Sequence, residues 1–293
     1  MTYSIVARDQ QTGELGVAVQ SHWFGVGPKV PWACPGVGAV ATQANVLVDY
    51  GPDALELLGG GASASDALAQ LTAADSGAAG RQLAIVDARG GVAAYTGSAC
   101  MDFAGHVTGE QVSCQANIMA NASVWSSMLE AFTTAAGPLA SRLIAALDAA
   151  EAAGGDVRGR QSAALLVVPA EGEAWETVVS LRVEDHPEPL IELRRLFDLN
   201  RAYEQAGIGD ELSGEGRHDE AAQHYAEAAA LAPGNHELLF WSGLGTVLSG
   251  DVGRGVELVR EAIALQPGWA ELLPRLSTDV APGAAVVCER LGL

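Results

Sequence analysis

Hydrophobic and polar positions alternate along the first forty residues. Tyr3 to Ala7 run into the polar turn Asp9-Gln10-Gln11-Thr12-Gly13, and Leu15 to Gln20 return, which predicts a β-hairpin that begins at residue 2. A Gly/Pro-rich stretch, Gly25 to Gly36, leads to a third strand over Val37 to Thr42. Pro52 then stands at an early helical position before Ala54, Leu55, Leu57 and Leu58, and Gly59-Gly60-Gly61 stops that helix. Ser63 and Asp66 have capping-box spacing and open a second helix through Ala67, Leu68 and Leu71. Strands follow at Gln82 to Val86 and Val92 to Tyr95, joined by Arg89-Gly90-Gly91, with an extended piece at Gln111 to Gln115. Two helices, Val124 to Thr134 and Leu139 to Ala152, are parted by Gly137-Pro138. Strands at Ala163 to Val168 and Thr177 to Val183 close the region, and Asp185-His186-Pro187-Glu188-Pro189 precedes a helix over Leu190 to Gln205.

Helices inserted in pairs between antiparallel strands predict two sheets packed face to face with helices outside. The expected fold is therefore α+β, a four-layer αββα sandwich followed by a small all-α helical-repeat domain. The expected boundaries are 1–188 for the sandwich, 189–206 for a connecting helix and 207–293 for the repeats. In that last third, Ala221, Tyr225, Ala228 and Pro233 fit a 34-residue tetratricopeptide-type pattern, and adding 34 carries Gly209, Ala228 and Pro233 to Gly243, Ala262 and Pro267. The match weakens at Gly255 and Val259, where Ala and an aromatic are expected. Trp241 and Trp269 add bulk for packing, and a last helix is expected at Ala284 to Leu291. Two repeats are too few to stand alone, so docking on the first domain is expected.

Composition narrows the function classes. Of 293 residues 49% are apolar, a folding composition, while 36 acidic against 16 basic side chains give a formal charge of −20. That charge disfavours nucleic acid and an anionic membrane surface as partners. The start, Met1-Thr2-Tyr3-Ser4-Ile5-Val6, lacks the basic-then-apolar pattern of a signal peptide, and apolar runs such as Ala163 to Val168 are too short to span a bilayer. Cys34, Cys100, Cys114 and Cys288 form no C-x-x-C pair and are expected to be reduced, in a cytoplasmic protein. The histidines show no metal-ligand spacing, and the pairs Gly25/Gly27 and Gly36/Gly38 open no helix, so neither metal, phosphate loop nor cofactor is expected.

A strand that starts at residue 2 raises the question of the terminus itself, because termini are normally frayed. Thr2 is small enough for Met1 to be trimmed, leaving a free amine beside its own hydroxyl. A free α-amine has a pKa of about 7.7–8.0 and serves as a base near neutrality. Threonine paired with its own amine is an activated nucleophile. The plainer reading makes Thr2 a β-favouring residue that opens a strand.

The run Thr2-Tyr3-Ser4-Ile5-Val6-Ala7-Arg8-Asp9, followed by Thr12-Gly13-Glu14-Leu15-Gly16-Val17-Ala18-Val19, resembles the opening of a bacterial family placed in the N-terminal-nucleophile (Ntn) hydrolase superfamily. The likeness continues through Val30-Pro31-Trp32-Ala33, Gly36 to Gln43, Tyr50-Gly51-Pro52, Gly154-Gly155-Asp156, Arg158 to Val168 and Asp185-His186-Pro187. It covers about residues 2 to 200. It implies an αββα sandwich and hydrolysis of an amide bond, and supplies no substrate.

Around Thr2 the candidates are few. Asn117 follows a strand and is an oxyanion-donor candidate or a turn cap. Gln43 and Asn45 end the third strand, where side chains reach a sandwich's mouth; Asn45 reads as loop polarity. Ser21 and His22 end the strand that pairs with the first, so they are candidates for substrate contact or support of the nucleophile. Lys29 is a candidate for lowering the amine pKa. Asp156, Arg158 and Arg160 form the densest charge group; Arg160 is a candidate reader of a substrate carboxylate, against the alternative of an Asp-Arg lock on the strand. With these residues, the resemblance implies an amidohydrolase that cleaves a non-peptide, small-molecule amide or cyclic amide through an acyl-enzyme on Thr2. The rival reading is a non-catalytic interaction protein whose repeats bind a protein partner. Assembly as a homo-oligomer is compatible with both.

Overall fold

A computed structural model describes residues 2–293; Met1, whose trimming a free Thr2 amine would need, lies outside the described residues. The chain forms two compact units that divide between Arg194 and Arg195.

The first unit contains strands β1 (Thr2–Arg8), β2 (Leu15–Ser21), β3 (Pro31–Cys34), β4 (Gly38–Ala44), β5 (Arg81–Asp87), β6 (Val92–Thr96), β7 (Gly105–Gly109), β8 (Val112–Asn117), β9 (Ser162–Val168) and β10 (Val179–Val183). Six of them make one sheet in the order β10-β9-β2-β1-β8-β7, and four make a second in the order β3-β4-β5-β6. All pairings are antiparallel. Helices α1 (Tyr50–Gly59) and α2 (Ala64–Ala74) cover the outer face of the four-stranded sheet, packing Tyr50, Ala54, Leu58, Ala67 and Leu71 on Val40, Leu83 and Ile85. Helices α3 (Val124–Thr134) and α4 (Leu139–Ala152) cover the six-stranded sheet. The arrangement is the expected αββα sandwich. The N-cap half of the capping box forms: the Asp66 N–H donates to Ser63 Oγ over 3.1 Å, and the Ser63 hydroxyl donates to Asp66 Oδ2.

Two strands go beyond the sequence reading. β3 lies inside the Gly/Pro-rich stretch, and β7 precedes the extended piece at β8. Both are edge strands, and an edge strand tolerates proline and needs no continuous apolar face.

Alternation along β1 assigns its two faces. Tyr3 reaches α4, where its hydroxyl donates to Glu151 over 2.7 Å. Val6, two positions beyond Ser4, joins Val17, Val19, Ala39, Ala41, Ala84 and Val86 in the core between the sheets. That inner core changes character along its length. It is aliphatic around Val6 and polar toward Thr2, where Ser4, Ser21, Gln43, Gln82, Ser113, Gln115 and Asn117 are all buried.

The second unit is helical: α5 (Pro189–Gly214, begun in the first unit), α6 (His218–Leu231), α7 (His236–Leu248), α8 (Val252–Leu265), α9 (Gly268–Leu272) and α10 (Ala284–Leu291). The residues that depart from the 34-residue pattern have a packing reason. A Cβ at Gly209 would meet the Tyr225 ring at 2.7 Å, so an aromatic of α6 fills the first hairpin. Val259 stands at the equivalent place in the second hairpin, and α7 and α8 close onto each other there. A Cβ at Gly255 would lie 2.6 Å from the Gly243 carbonyl, and one at Gly243 would lie 2.8 Å from the Gly255 carbonyl. The smaller side chain and the missing methyl are two halves of one close contact.

Candidate active site

Thr2 heads an interior strand, held on both sides: it is paired with Ser21 on β2 and Asn117 on β8. It is 5% exposed. Its Oγ1 lies 3.0 Å from Ser21 Oγ. Its carbonyl oxygen lies 3.4 Å from both Gln43 Nε2, across the sandwich, and Asn117 Nδ2, on the neighbouring strand. Every side chain in these bonds is uncharged.

The amides are themselves tied down. Gln43 Nε2 donates to Gln82 Oε1 over 2.7 Å, and Asn117 Nδ2 donates to the same oxygen over 3.0 Å. Ser4 Oγ donates to Gln43 Oε1 over 2.7 Å and accepts from Gln115 Nε2 over 2.7 Å. Gln82, Gln115 and Ser4 escaped the sequence reading. A signal was present for Gln82, which shares its strand face with Ala84 and Val86, where a polar side chain must find a buried partner.

The backbone bends next to both amides. Ala44, after Gln43, has φ 69°, and Ile118, after Asn117, has φ 56°. A β-branched residue in the left-handed region costs on the order of 1–3 kcal/mol and is kept where the surroundings over-determine it.

The other sequence candidates are spread around and beyond this cluster. Ser21 is at the threonine hydroxyl. His22 follows it, half-buried, its backbone N–H donating to Asp156 Oδ2 over 3.2 Å and its Nδ1 buried without a hydrogen-bond partner among the described residues. Asp156 is gripped by Arg158, whose backbone N–H and guanidinium bond it at 2.9–3.2 Å, so this pair is a lock on the segment before β9. Asn45 and Lys29 are exposed in loops.

Arg160 stands among carboxylates of this chain. Its guanidinium is bound to Glu151 and Glu188, and Glu151 in turn accepts from Tyr3, whose side chain leaves β1 on the face opposite Ser4. The two carboxylates bind Arg160 through Nε and one terminal nitrogen. Burial, then the Glu151 carboxylate, holds the Tyr3 phenol well above its usual range, so it stays a neutral donor. Gln43 and Asn117 are each 1% exposed, and their amide nitrogens face the threonine's own carbonyl oxygen.

Around this end of the sandwich the loops expose large apolar side chains. Trp23 (60%) and Phe24 (67%) follow His22, Val46 follows β4, Met101 and Phe103 lie between β6 and β7, and Val157 follows Asp156. Among the described residues no three His, Cys, Asp or Glu side chains gather as metal ligands, and no helix is long and apolar enough to cross a membrane.

The fold and site define a class: a four-layer αββα protein with a buried threonine heading an interior strand. Residues 2–193 match the family described as "Family of unknown function (DUF1028)", and the chain belongs to that family. It is similar to a solved protein of that family from Silicibacter pomeroyi, with 37% identity and a TM-score of 0.62 over 67% of this chain and 84% of that one. It also aligns with Anbu (ancestral beta-subunit) from Yersinia bercovieri at 12% identity and a TM-score of 0.35, over 67% of this chain and 92% of that one, a likeness too distant to bear on function. No curated protein matches the chain.

Proposed function

We propose that this protein is an N-terminal-nucleophile amidohydrolase that opens a non-peptide amide or cyclic amide C–N bond through an acyl-enzyme on Thr2. The observation that carries the reading is the placement of Thr2: buried, paired on both sides, and fixed through its carbonyl by two amides. A threonine that only opens a strand needs none of that support.

In this reading, cleavage before Thr2 frees its amine. The amine takes the Oγ1 proton, Oγ1 attacks the substrate carbonyl carbon, and the C–N bond breaks as the leaving nitrogen recovers that proton. Water then hydrolyses the Thr2 ester, giving the acid and restoring the hydroxyl. Ser21 bonds the hydroxyl, while Gln43 and Asn117 hold the main chain that carries it. The apolar rim and the net charge of −20 favour an uncharged, apolar acyl group.

The same rim favours a second reading, a binding protein without turnover, because exposed apolar patches also mark protein contacts. The helical hairpins of the second unit, as tetratricopeptide-type repeats, would then take part in partner binding. One experiment separates the two. Intact mass of the purified protein should show that the chain begins at Thr2. An electrophilic β-lactone should then add its whole mass to the N-terminal peptide of wild type and of Thr2→Ser, and leave Thr2→Ala unlabelled. A fully retained Met1, or equal labelling of Thr2→Ala, would remove Thr2 from the mechanism.

A further inference from the structure

The seam beneath Thr2 has a direction, and one residue on the opposite sheet sets it. A side-chain amide has an accepting and a donating end, and only its neighbours decide which way it points. Gln82 Nε2 lies 2.9 Å from the Ala116 carbonyl, 3.1 Å from the Gly105 carbonyl and 2.9 Å from Thr96 Oγ1. Backbone carbonyls only accept, so the end of Gln82 that faces them is its NH2. Its Oε1 is thereby turned toward Gln43 and Asn117, at 2.7 and 3.0 Å. Facing an acceptor, both of those residues must present their own NH2 groups. The same NH2 groups lie 3.4 Å from the Thr2 carbonyl oxygen. A flip of Gln82 would set its NH2 against theirs; a compensating flip of Gln43 and Asn117 would then aim two amide oxygens at a carbonyl oxygen.

We infer that Gln82 is the positioning residue of the site: without touching Thr2, it fixes the orientation of the two amides that clamp the nucleophile's main chain. The inference rests on the proposed role of Thr2. Gln82 is fully buried.

Charge and shape are separable at this position. Gln82→Leu keeps most of the volume and removes both ends of the amide. Gln82→Glu keeps the shape and the acceptor; ionised, it turns an oxygen toward the Gly105 and Ala116 carbonyls, and protonated, it returns one donor to them. Burial raises the pKa of such a carboxyl, which brings its protonation into an accessible pH range.

The test follows β-lactone acylation of Thr2 in the full chain by intact mass, from pH 8 to pH 5.5, for wild type and both variants, with thermal unfolding recorded at each pH. Gln82→Leu should show a maximal acylation rate about tenfold to a hundredfold below wild type, the scale of a mispositioned reacting group, at an unchanged half-saturating lactone concentration. Gln82→Glu should be similarly slow at pH 8, and its rate relative to wild type should climb as the pH falls. Simple loss of packing would leave that ratio flat. A flat ratio in Gln82→Glu, or a Gln82→Leu rate within threefold of wild type, would overturn the inference while leaving Thr2 as nucleophile. If Gln82→Leu does not fold, the Gln82→Glu ratio decides alone. Wild type that is never labelled at Thr2 would overturn the parent reading and this one together.

Discussion

Thr2 Oγ1 and Ser21 Oγ stand 3.0 Å apart at the paired ends of β1 and β2. The pairing register places them there, since Thr2 and Ser21 are direct cross-strand partners on the face between the sheets. Either hydroxyl is able to donate, so Ser21 is positioned to orient the attacking oxygen. Ser21→Ala should fold and still begin at Thr2, and should slow β-lactone labelling by about fivefold, the value of one hydrogen bond of about 1 kcal/mol. Labelling as fast as wild type would reduce Ser21 to a packing residue.

Asp9 in the β1–β2 turn makes stability depend on pH. Burial alone would raise its carboxyl, but the backbone N–H groups of Thr12 and Gln11, at 2.9 and 2.8 Å, and the Arg142 guanidinium at 2.9 Å outweigh it and hold the pKa below the ordinary range. A depressed carboxyl contributes stability above its unfolded pKa of about 3.9 and loses it as the pH falls through the folded value. Asp9→Asn should therefore be less stable than wild type at pH 7, and the gap should close as both are taken well below pH 4. Urea unfolding across that range is the measurement; a gap that does not change with pH would exclude the carboxylate as its source.

In the helical unit, Gly255→Ala tests the close approach of α7 and α8. The added Cβ would sit 2.6 Å from both the Gly243 carbonyl oxygen and a Val247 methyl. Overpacking of this kind costs about 1–3 kcal/mol. Thermal unfolding should show the loss, whereas Gly214→Ala, with nothing within 4 Å, should show none.

Gln20 is fully buried on the opposite face of β2 from Ser21, and among the described residues neither end of its amide has a hydrogen-bond partner. Gln20→Met, of similar volume, should raise the unfolding free energy by about 1 kcal/mol or more, because an unpaired buried polar group carries its full desolvation cost. A lower midpoint in the variant would show that the amide is satisfied in solution.

Much of the architecture was legible along the chain. The opening hairpin, the Ser63/Asp66 cap, the paired helices and the last helix were readable because their signals are local: period, turn residue and cap lie within a few positions of one another. The edge strands β3 and β7 were not, since an edge strand carries little hydrophobic alternation and is defined by its neighbour.

The candidate site divides along the same line. Sequence alone singled out Thr2 and the strand ends Ser21, Gln43 and Asn117, because strand ends are local features. Their roles were decided in three dimensions. Gln43 meets Gln82 from 39 positions away, Asn117 meets it from 35, and Gln115 meets Ser4 from 111. Periodicity says which residues of one strand share a face, and says nothing of which strand faces it across the sandwich. A glutamine on an aliphatic face thus reads as an anomaly in one dimension. Only the packing of the second sheet supplies the partner that turns it into a clamp.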